Sequence, residues 1–279
     1  MLNTLQKRQT TYNSKKVVGL TLGSALVAII IMLFVVLLNC GTALAADQNS
    51  TGSQSEGSST AGNPASFYGM DLCNYPGDDA MQAWWNDSPF YYTGFYLGPA
   101  PYHPDTSFMD KRQVLIDQGW GLLPIYLGRQ ADSWNLDQGV ADADDAVNLA
   151  DSAGFPHGTV IYLDIETSSP LTESFLSYVT DWVSEVESRG YIAGIYCYVG
   201  NASQIGNALP DNVQFWVAYY NGSSLPTTIP SPADSGVSFA SAWQFVGDTS
   251  LTYGGFTLDV DFNTSNYTDP STESVNVKK

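Results

Sequence analysis

The sequence predicts a (β/α)8 TIM barrel, an α/β fold, with irregular last two crossovers. Short apolar runs rich in β-branched residues alternate with stretches of helical periodicity, which is typical of parallel strands joined by crossover helices. Polar or aromatic residues recur where these runs end, and barrels of this kind carry their active sites there. A doubly wound open sheet is the main alternative, but no glycine-rich phosphate loop supports a nucleotide site in it.

The apolar runs define the predicted strands, and periodicity defines the helices between them. The strands are 66–72, 91–97, 121–127, 159–165, 192–198, 213–219, 239–245 and 256–262. The helices are 110–118, 139–153, 172–189 and 203–207. The third of these is the clearest, because Phe175, Val179, Trp182 and Val186 recur at helical spacing and Gly190 ends it. The segments before strands seven and eight are poor in helix, hence the expected irregularity.

The N-terminal residues have the pattern of an export signal. Residues 1–45 contain no Asp or Glu, carry four basic residues, and continue through an apolar run to the cleavage pattern Ala43-Leu44-Ala45. The run 17–38 is long enough to span a bilayer, so an uncleaved anchor with the domain outside is the alternative to secretion. The predicted organisation is signal or anchor 1–45, flexible Ser/Gly-rich linker 46–65, barrel 66–267 and disordered tail 268–279.

Charge, cysteines and histidines narrow the range of functions that the chain can have. Removal of residues 1–45 leaves six basic against 28 acidic residues, a net charge of −22, which excludes a nucleic-acid-binding protein. Cys73 and Cys197 fall on strands across the predicted barrel, so both are expected to be buried free thiols. His103 and His157 lie beside prolines without metal-ligand spacing; both are expected at the surface, and neither a metal nor a cofactor is predicted. A monomer is expected.

Two carboxylates end the predicted fourth strand. Asp164 and Glu166 are two residues apart, so a strand projects them from one face with Cα atoms about 7 Å apart. Burying an acid at the end of a strand costs folding free energy, so an acid at such a position points to a function. Hydrolysis of a glycosidic bond uses such a pair, one carboxyl protonated and the other ionised. A polar loop that caps the next helix is the alternative.

Comparable residues end the other predicted strands. Asp71 ends the first strand, and Asp259 and Asp261 end the eighth. Polar and aromatic residues at the remaining ends are Tyr96, Gln130, Tyr196, Trp216 and Gln244. Because the ends of parallel strands meet at one rim of a closed barrel, Asp71, Asp164, Glu166 and Asp259 are predicted to converge.

These residues lie in short motifs that follow one another in a characteristic order. The motifs are Gly69-x-Asp71-x-Cys73, Gly94-Phe95-Tyr96-Leu97-Gly98, Gly119-Trp120-x-x-x-Pro124-Ile125-Tyr126-x-Gly128-x-Gln130, Ile161-Tyr162-x-Asp164-x-Glu166, Gly190-Tyr191-x-x-Gly194-Ile195-Tyr196, Trp216-x-Ala218, Trp243-Gln244-Phe245 and Leu258-Asp259-x-Asp261. Over residues 66–263 the chain resembles the bacterial secreted glycoside-hydrolase-like domain of unknown function, a (β/α)8 family similar to the family 25 lysozymes. The order of the motifs, rather than any one of them, carries the resemblance.

The resemblance implies a glycosidase that acts on cell-wall peptidoglycan or a related extracellular polysaccharide. It implies Glu166 as general acid, Asp164 as the carboxylate that holds the substrate or its N-acetyl group, and Asp71 and Asp259 as further acids. Residues implied in substrate binding are Tyr96, Gln130, Tyr196, Trp216, Gln244 and Asp261.

Two chemical expectations accompany this assignment. The pKa of Glu166 should be raised while Asp164 stays ionised, and Tyr96 and Trp216 should stack on sugar rings. The alternative function is a barrel that binds carbohydrate or cell wall without cleaving it.

Overall fold

A closed barrel of eight strands organises residues 66–167 and 170–276, the part of the chain that the computed structural model describes. The strands follow one another around the barrel in chain order, and the last closes against the first. They are β1 (Phe67–Asp71), β2 (Tyr92–Tyr96), β3 (Gly121–Tyr126), β4 (Val160–Ile165), β5 (Ile192–Tyr198), β6 (Gln214–Ala218), β7 (Ala242–Tyr253) and β8 (Phe256–Ser265). The predicted barrel is confirmed, and its closure excludes the doubly wound open sheet.

Helices connect most of the strands. They are α1 (Asp78–Asp87), α2 (Arg112–Gln118), α3 (Gly139–Ser152), α4 (Glu173–Ser188) and α5 (Val199–Gly206). Thr172 caps α4 by accepting a hydrogen bond from the Phe175 backbone N–H at 3.2 Å. Helix α1 was not predicted from the sequence, and α5 begins at Val199 rather than at the predicted residue 203. The last two crossovers are irregular as predicted, since the β6–β7 connection holds only the 3₁₀ turn Pro232–Ser235.

Strand β8 runs antiparallel to both of its neighbours, whereas the other neighbouring strands are parallel. Gly254 and Gly255 alone separate it from β7, and their φ angles of 55° and 84° suit a two-residue hairpin turn. A connection this short joins antiparallel strands only. The parallel eighth strand expected from the sequence is therefore wrong. The middle of β8, not its end, reaches the end of β1, where Asp261 pairs with Asp71.

Large tyrosines fill the barrel beneath its acidic residues. Tyr92 and Tyr162 are buried, and a Cβ atom at Gly69 would lie 2.2 Å from the Tyr92 ring, so only glycine leaves room for it. Asp71 and Asp164 each stand two residues beyond Gly69 and Tyr162 and share their face of the sheet. The rings therefore form an apolar floor that excludes water from below the two carboxyls.

The C-terminal segment covers the opposite end of the barrel. The Leu122 N–H donates to Asp269 Oδ1 at 3.1 Å, and the Ser271 N–H donates to the Leu122 carbonyl at 2.8 Å. The Val160 N–H donates to the Ser271 carbonyl at 2.9 Å. The prediction of a disordered tail is wrong for residues 268–276, because they pair with the free starts of β3 and β4.

The predicted signal or anchor, residues 1–45, and the linker, residues 46–65, lie outside the described residues. Among the helices of the described residues, none has the length and apolar character needed to cross a membrane.

Candidate active site

Four acidic side chains meet where β1 and β4 end, and we call them the acid cluster: Asp71, Asp164, Glu166 and Asp261. Asp71 and Asp164 are 5% and 3% exposed, Asp261 is half-buried and Glu166 reaches solvent. The charge of Asp261 acts on Asp71, the charges of Glu166 and Asp71 act on Asp164, and that of Glu166 acts on Asp261. The structure thus brings together three predicted catalytic acids and adds Asp261, which had been assigned to substrate binding.

Asp259 does not join the acid cluster, contrary to the prediction. It pairs with Ser250 in the β7–β8 hairpin and is exposed. Asp71 is the last residue of β1 and pairs with Asp261, so Asp259 lies beyond the end of β1. The error concerns the register, because the β7–β8 hairpin extends past the end of β1 and carries Asp259 with it.

Two amides hold the Asp71 carboxyl in place. Asn263 Nδ2 and Gln244 Nε2 donate to Asp71 Oδ1 at 2.6 and 3.0 Å. The indole Nε1 of Trp216 in turn donates to Asn263 Oδ1 at 2.9 Å. Sequence reasoning missed Asn263, although it continues the alternation Asp259, Asp261, Asn263 along one strand.

Gln244 is a positioning residue whose amide is fully used. Its Nε2 donates to Asp71 Oδ1 and Asp261 Oδ2, both at 3.0 Å. Its Oε1 accepts from the hydroxyls of Tyr196 and Tyr220 at 2.6 and 2.8 Å. Two donors and two lone pairs exhaust the capacity of an amide. Gln244 and the Tyr196 hydroxyl therefore hold the acids rather than a substrate, which corrects their predicted roles.

Gln130 performs the same task for the end of β4. Its Nε2 donates to the carbonyls of Asp164 and Gly128 at 2.9 and 3.3 Å. Its Oε1 accepts from the Glu166 backbone N–H at 2.9 Å and from Thr167 Oγ1 at 3.2 Å. Because this amide is also saturated and buried, the predicted substrate contact of Gln130 is replaced by a structural one.

Burial raises the pKa of every member of the acid cluster. Burial, followed by the charge of Asp261, raises the pKa of Asp71 to about 8 against the two amide hydrogen bonds. Burial raises the pKa of Asp261 to about 6, although the Asp248 backbone N–H, 2.7 Å from its Oδ1, opposes this. Burial also raises the pKa of Glu166, as predicted, since protein surrounds its carboxyl even though part of it is accessible.

Asp164 has the least favourable surroundings for a charge. Burial, then the charges of Glu166 and Asp71, raises its pKa well above the usual range. No described residue donates a hydrogen bond to its Oδ1. The expectation that Asp164 stays ionised is therefore contradicted by its environment.

The aromatic residues near the acids divide into buried and exposed ones. Trp216 is 1% exposed and packs on Tyr196 with ring centroids 4.3 Å apart, so its predicted stacking on a sugar is wrong. Tyr96 is 8% exposed and stacks on His103. In contrast, Tyr198 and Tyr220 are 42% and 39% exposed at the ends of β5 and β6. Sequence reasoning missed both, although their positions at strand ends were the available signal.

Two smaller expectations about side-chain exposure need correction. His103 is buried by its stack on Tyr96, whereas His157 is exposed as predicted. Cys73 and Cys197 are both free, but only Cys197 is buried, because Cys73 follows the end of β1. Among the described residues, no group of three or more His, Cys, Asp or Glu is arranged to hold a metal ion.

Residues 82–265, more than half of the chain, match the family model described as Rv2525c-like, glycoside hydrolase-like domain. The chain belongs to this family. The resemblance that the ordered motifs indicated is confirmed at the level of the family. No curated protein matches the chain.

Solved structures share the barrel of this family member. An uncharacterized B. stearothermophilus protein is 20% identical with a TM-score of 0.54, over 71% of this chain and 94% of that chain. A bacterial lysozyme from Streptomyces coelicolor is 16% identical with a TM-score of 0.50, over 76% of this chain and 100% of its own. The modular autolysin LytC from Streptococcus pneumoniae, in complex with a synthetic peptidoglycan ligand, is 14% identical with a TM-score of 0.52, over 73% of this chain and 47% of its own. At these identities the likeness concerns the fold.

Proposed function

We propose that this domain hydrolyses glycosidic bonds in cell-wall peptidoglycan or a related extracellular polysaccharide. The observation that supports this most strongly is the acid cluster itself: Asp71, Asp164, Glu166 and Asp261 come from three strands and meet at one end of a closed barrel. A fold gains nothing in stability from burying like charges together, because each raises the cost of ionising the others. Glycosidases need this arrangement, since one carboxyl must carry a proton beside another that ionises.

In the proposed reaction Glu166 is the general acid. Its carboxyl combines a raised pKa with access to solvent, so it holds a proton where a glycan can reach it. Glu166 gives this proton to the glycosidic oxygen as the bond to the anomeric carbon breaks. A water molecule supplies the hydroxyl that joins the anomeric carbon, and its remaining proton returns to the carboxylates.

Asp164 stabilises the positive charge that develops on the sugar ring. Because the pKa of this buried carboxyl is raised, it ionises only when a positive charge approaches it. The charge therefore appears mainly in the transition state, where it accelerates the reaction, rather than before substrate binds. Gln130 and Gln244 keep the two acid-bearing strand ends in position through the saturated amides described above.

The place of action follows from the proposed substrate. Cell-wall glycans lie outside the cytoplasm, and the export pattern of residues 1–45 agrees with such a location. Secretion and an uncleaved anchor remain the two predicted forms, and fractionation of cells into membrane and medium distinguishes them.

The direct test is Glu166→Gln in the full chain, measured by zymography on cell walls and by release of soluble muropeptides. We expect loss of at least about a hundredfold in activity, which is typical for removal of a general acid. Glu173→Gln is the matched control, because it makes the same exchange at an exposed site at the start of α4. Undiminished release by Glu166→Gln would refute the assignment. Binding of insoluble cell walls by wild-type protein without any cleared zone would favour the non-catalytic carbohydrate-binding barrel instead.

A further inference from the structure

One tryptophan differs from the other six of the chain in its exposure. All seven lie in the described residues; five are buried and Trp85 is half-buried. Trp134, in the loop between β3 and α3, is 93% exposed. An aromatic ring so fully in solvent adds little to the packing of the fold and is available to a ligand. The position of the ring and its neighbours indicate which ligand that is.

The loop that carries Trp134 lies at the same end of the barrel as the acid cluster. Loops that follow the strands of a (β/α)8 barrel emerge at the end where the acids lie. This loop includes Gln130, whose amide holds the Asp164 carbonyl and the Glu166 N–H. Trp134 follows Gln130 by four residues, so their Cα atoms are at most about 14 Å apart. A strand of a few sugar rings covers such a distance.

Hydrogen bonds hold the chain on both sides of Trp134. Ser133 donates its N–H to the Gln130 carbonyl at 2.9 Å, and its Oγ accepts from the Gln130 N–H at 3.2 Å. On the other side, Asn135 Oδ1 accepts from Arg129 Nη1 at 3.1 Å. The indole therefore extends from a segment that is already ordered, which reduces the entropy lost when a ligand binds to it.

The neighbours of Trp134 suit a sugar ring. Tyr102, also exposed, places its hydroxyl 3.0 Å from Ser133 Oγ, and the Asp132 carboxyl is exposed as well. A pyranose has an apolar face of C–H groups and a hydroxylated edge, so aromatic rings beside hydroxyl and carboxyl groups complement both. A protein partner would require a larger contiguous apolar patch, which Asp132 and Ser133 interrupt.

Exposed aromatic residues stand on two sides of the acid cluster. The acids come from the ends of β1 and β4 and from β8. Tyr102 and Trp134 follow β2 and β3, which lie between β1 and β4 around the barrel. Tyr198 and Tyr220 lie at the ends of β5 and β6, between β4 and β8 on the other side. A glycan strand that contacts both groups of rings passes over the acids.

On the basis of the proposed glycosidase function, we infer that Trp134 and Tyr102 form a distal sugar-binding site for an extended glycan strand. This site holds sugar units away from the bond that Glu166 cleaves. Only a long strand contacts the distal site and the acid cluster together, and two linked contacts bind more tightly than either alone. The domain therefore acts within long strands in preference to short fragments.

Binding of long glycan strands and of disaccharide units tests this inference. Both probes are prepared from peptidoglycan freed of its peptides and are titrated into the full chain with Glu166→Gln, which prevents cleavage. We expect this parent protein to prefer the long strands, and the addition of Trp134→Ala to reduce that preference about tenfold, as for the loss of one aromatic contact. Trp134→Phe keeps a ring and should retain most of the preference. Phe239→Ala is the control, because it removes an exposed ring just before β7, at the opposite end of the barrel.

Fluorescence quenching observes the contact itself. Because the other six tryptophans are buried or half-buried, acrylamide should quench the emission of Trp134 first. The difference between the parent protein and its Trp134→Phe variant isolates this emission. Long strands should shield Trp134 from acrylamide, and disaccharide units at the same sugar concentration should shield it less.

The outcomes separate this inference from the proposed function. Equal affinity for the two probes, no binding of either, or an unchanged preference in Trp134→Ala would overturn the distal site. The zymogram of the wild type would still decide glycosidase activity in each case. A tenfold loss in Trp134→Ala without any cleared zone would support the distal site and overturn cleavage, which leaves a barrel that binds glycan strands.

Discussion

Asp71→Asn should change how the stability of the barrel depends on pH. The Asp71 carboxyl is 5% exposed, and its pKa rises from 3.8 to about 8 in the fold. The folded state therefore holds this proton more tightly than the unfolded chain does. Its stabilising effect is complete below about pH 4 and is lost as the pH rises through about 8. Asparagine cannot ionise, but its Oδ1 can still accept from Gln244 and Asn263.

The magnitude follows from the pKa difference. Each tenfold change in ionisation is worth about 1.4 kcal/mol, so a pKa rising from 3.8 to about 8 corresponds to about 6 kcal/mol at most. Relaxation around the ionised group reduces this figure, and we expect several kcal/mol. For a domain of this size that is a difference on the order of 10 °C in Tm. Near pH 4 the wild type and the variant should have similar stability, and near pH 8 the variant should be the more stable.

Urea denaturation followed by tryptophan fluorescence, repeated across this pH range, measures the effect. Asp259→Asn is the control, because it removes an exposed acid of β8, and its curve should run parallel to that of the wild type. If Asp71→Asn also ran parallel to the wild type at every pH, Asp71 would be ionised in the fold. The apolar floor of Tyr92 and Tyr162 would then not desolvate it.

Two further substitutions test other parts of the structure. Gln130→Ala should lower the free energy of unfolding by about 1–3 kcal/mol, because it leaves the buried Asp164 carbonyl and Glu166 N–H unpaired. The control is Gln113→Ala at an exposed position of α2. Equal urea midpoints for the two variants would contradict the role of Gln130 in holding the end of β4. Gly255→Ala should lower the free energy of unfolding by about 1 kcal/mol, as measured by thermal unfolding. The cost comes from the backbone, because a φ of 84° disfavours a side chain. Steric contact adds nothing to it, since nothing lies within 4 Å of the added Cβ atom. An unchanged Tm for Gly255→Ala would contradict the cost expected for a side chain at this positive φ.

The direction of β8 separates what local sequence could and could not reveal. The apolar run of this strand and its alternating Asp259, Asp261 and Asn263 were readable. The Gly254-Gly255 pair was also a hairpin signal, and weighing it would have predicted an antiparallel β8. The choice of Asp261 over Asp259 depends on the register of β8 with β1, which only the closed barrel shows.

The predictions made for the two glutamines were wrong for a different reason. Gln130 and Gln244 stand at strand ends, where a substrate contact and a structural contact look the same in sequence. Only the folded arrangement shows that each amide is saturated by groups from other strands. Trp216 is a similar case, since its indole is buried and donates to Asn263, 47 residues away along the chain.

The sequence by itself determined the order of the strands, the helices other than α1, and the acids Asp71, Asp164 and Glu166 at strand ends, because periodicity and end residues are local properties of the chain. The tertiary structure alone decided that Asp261 completes the acid cluster and that its carboxyls are desolvated. The physical reason is separation along the chain: Asp71 and Asn263, 192 residues apart, are joined by a hydrogen bond of 2.6 Å. Closure of the barrel brings such residues together, and the pKa of each acid depends on that closure.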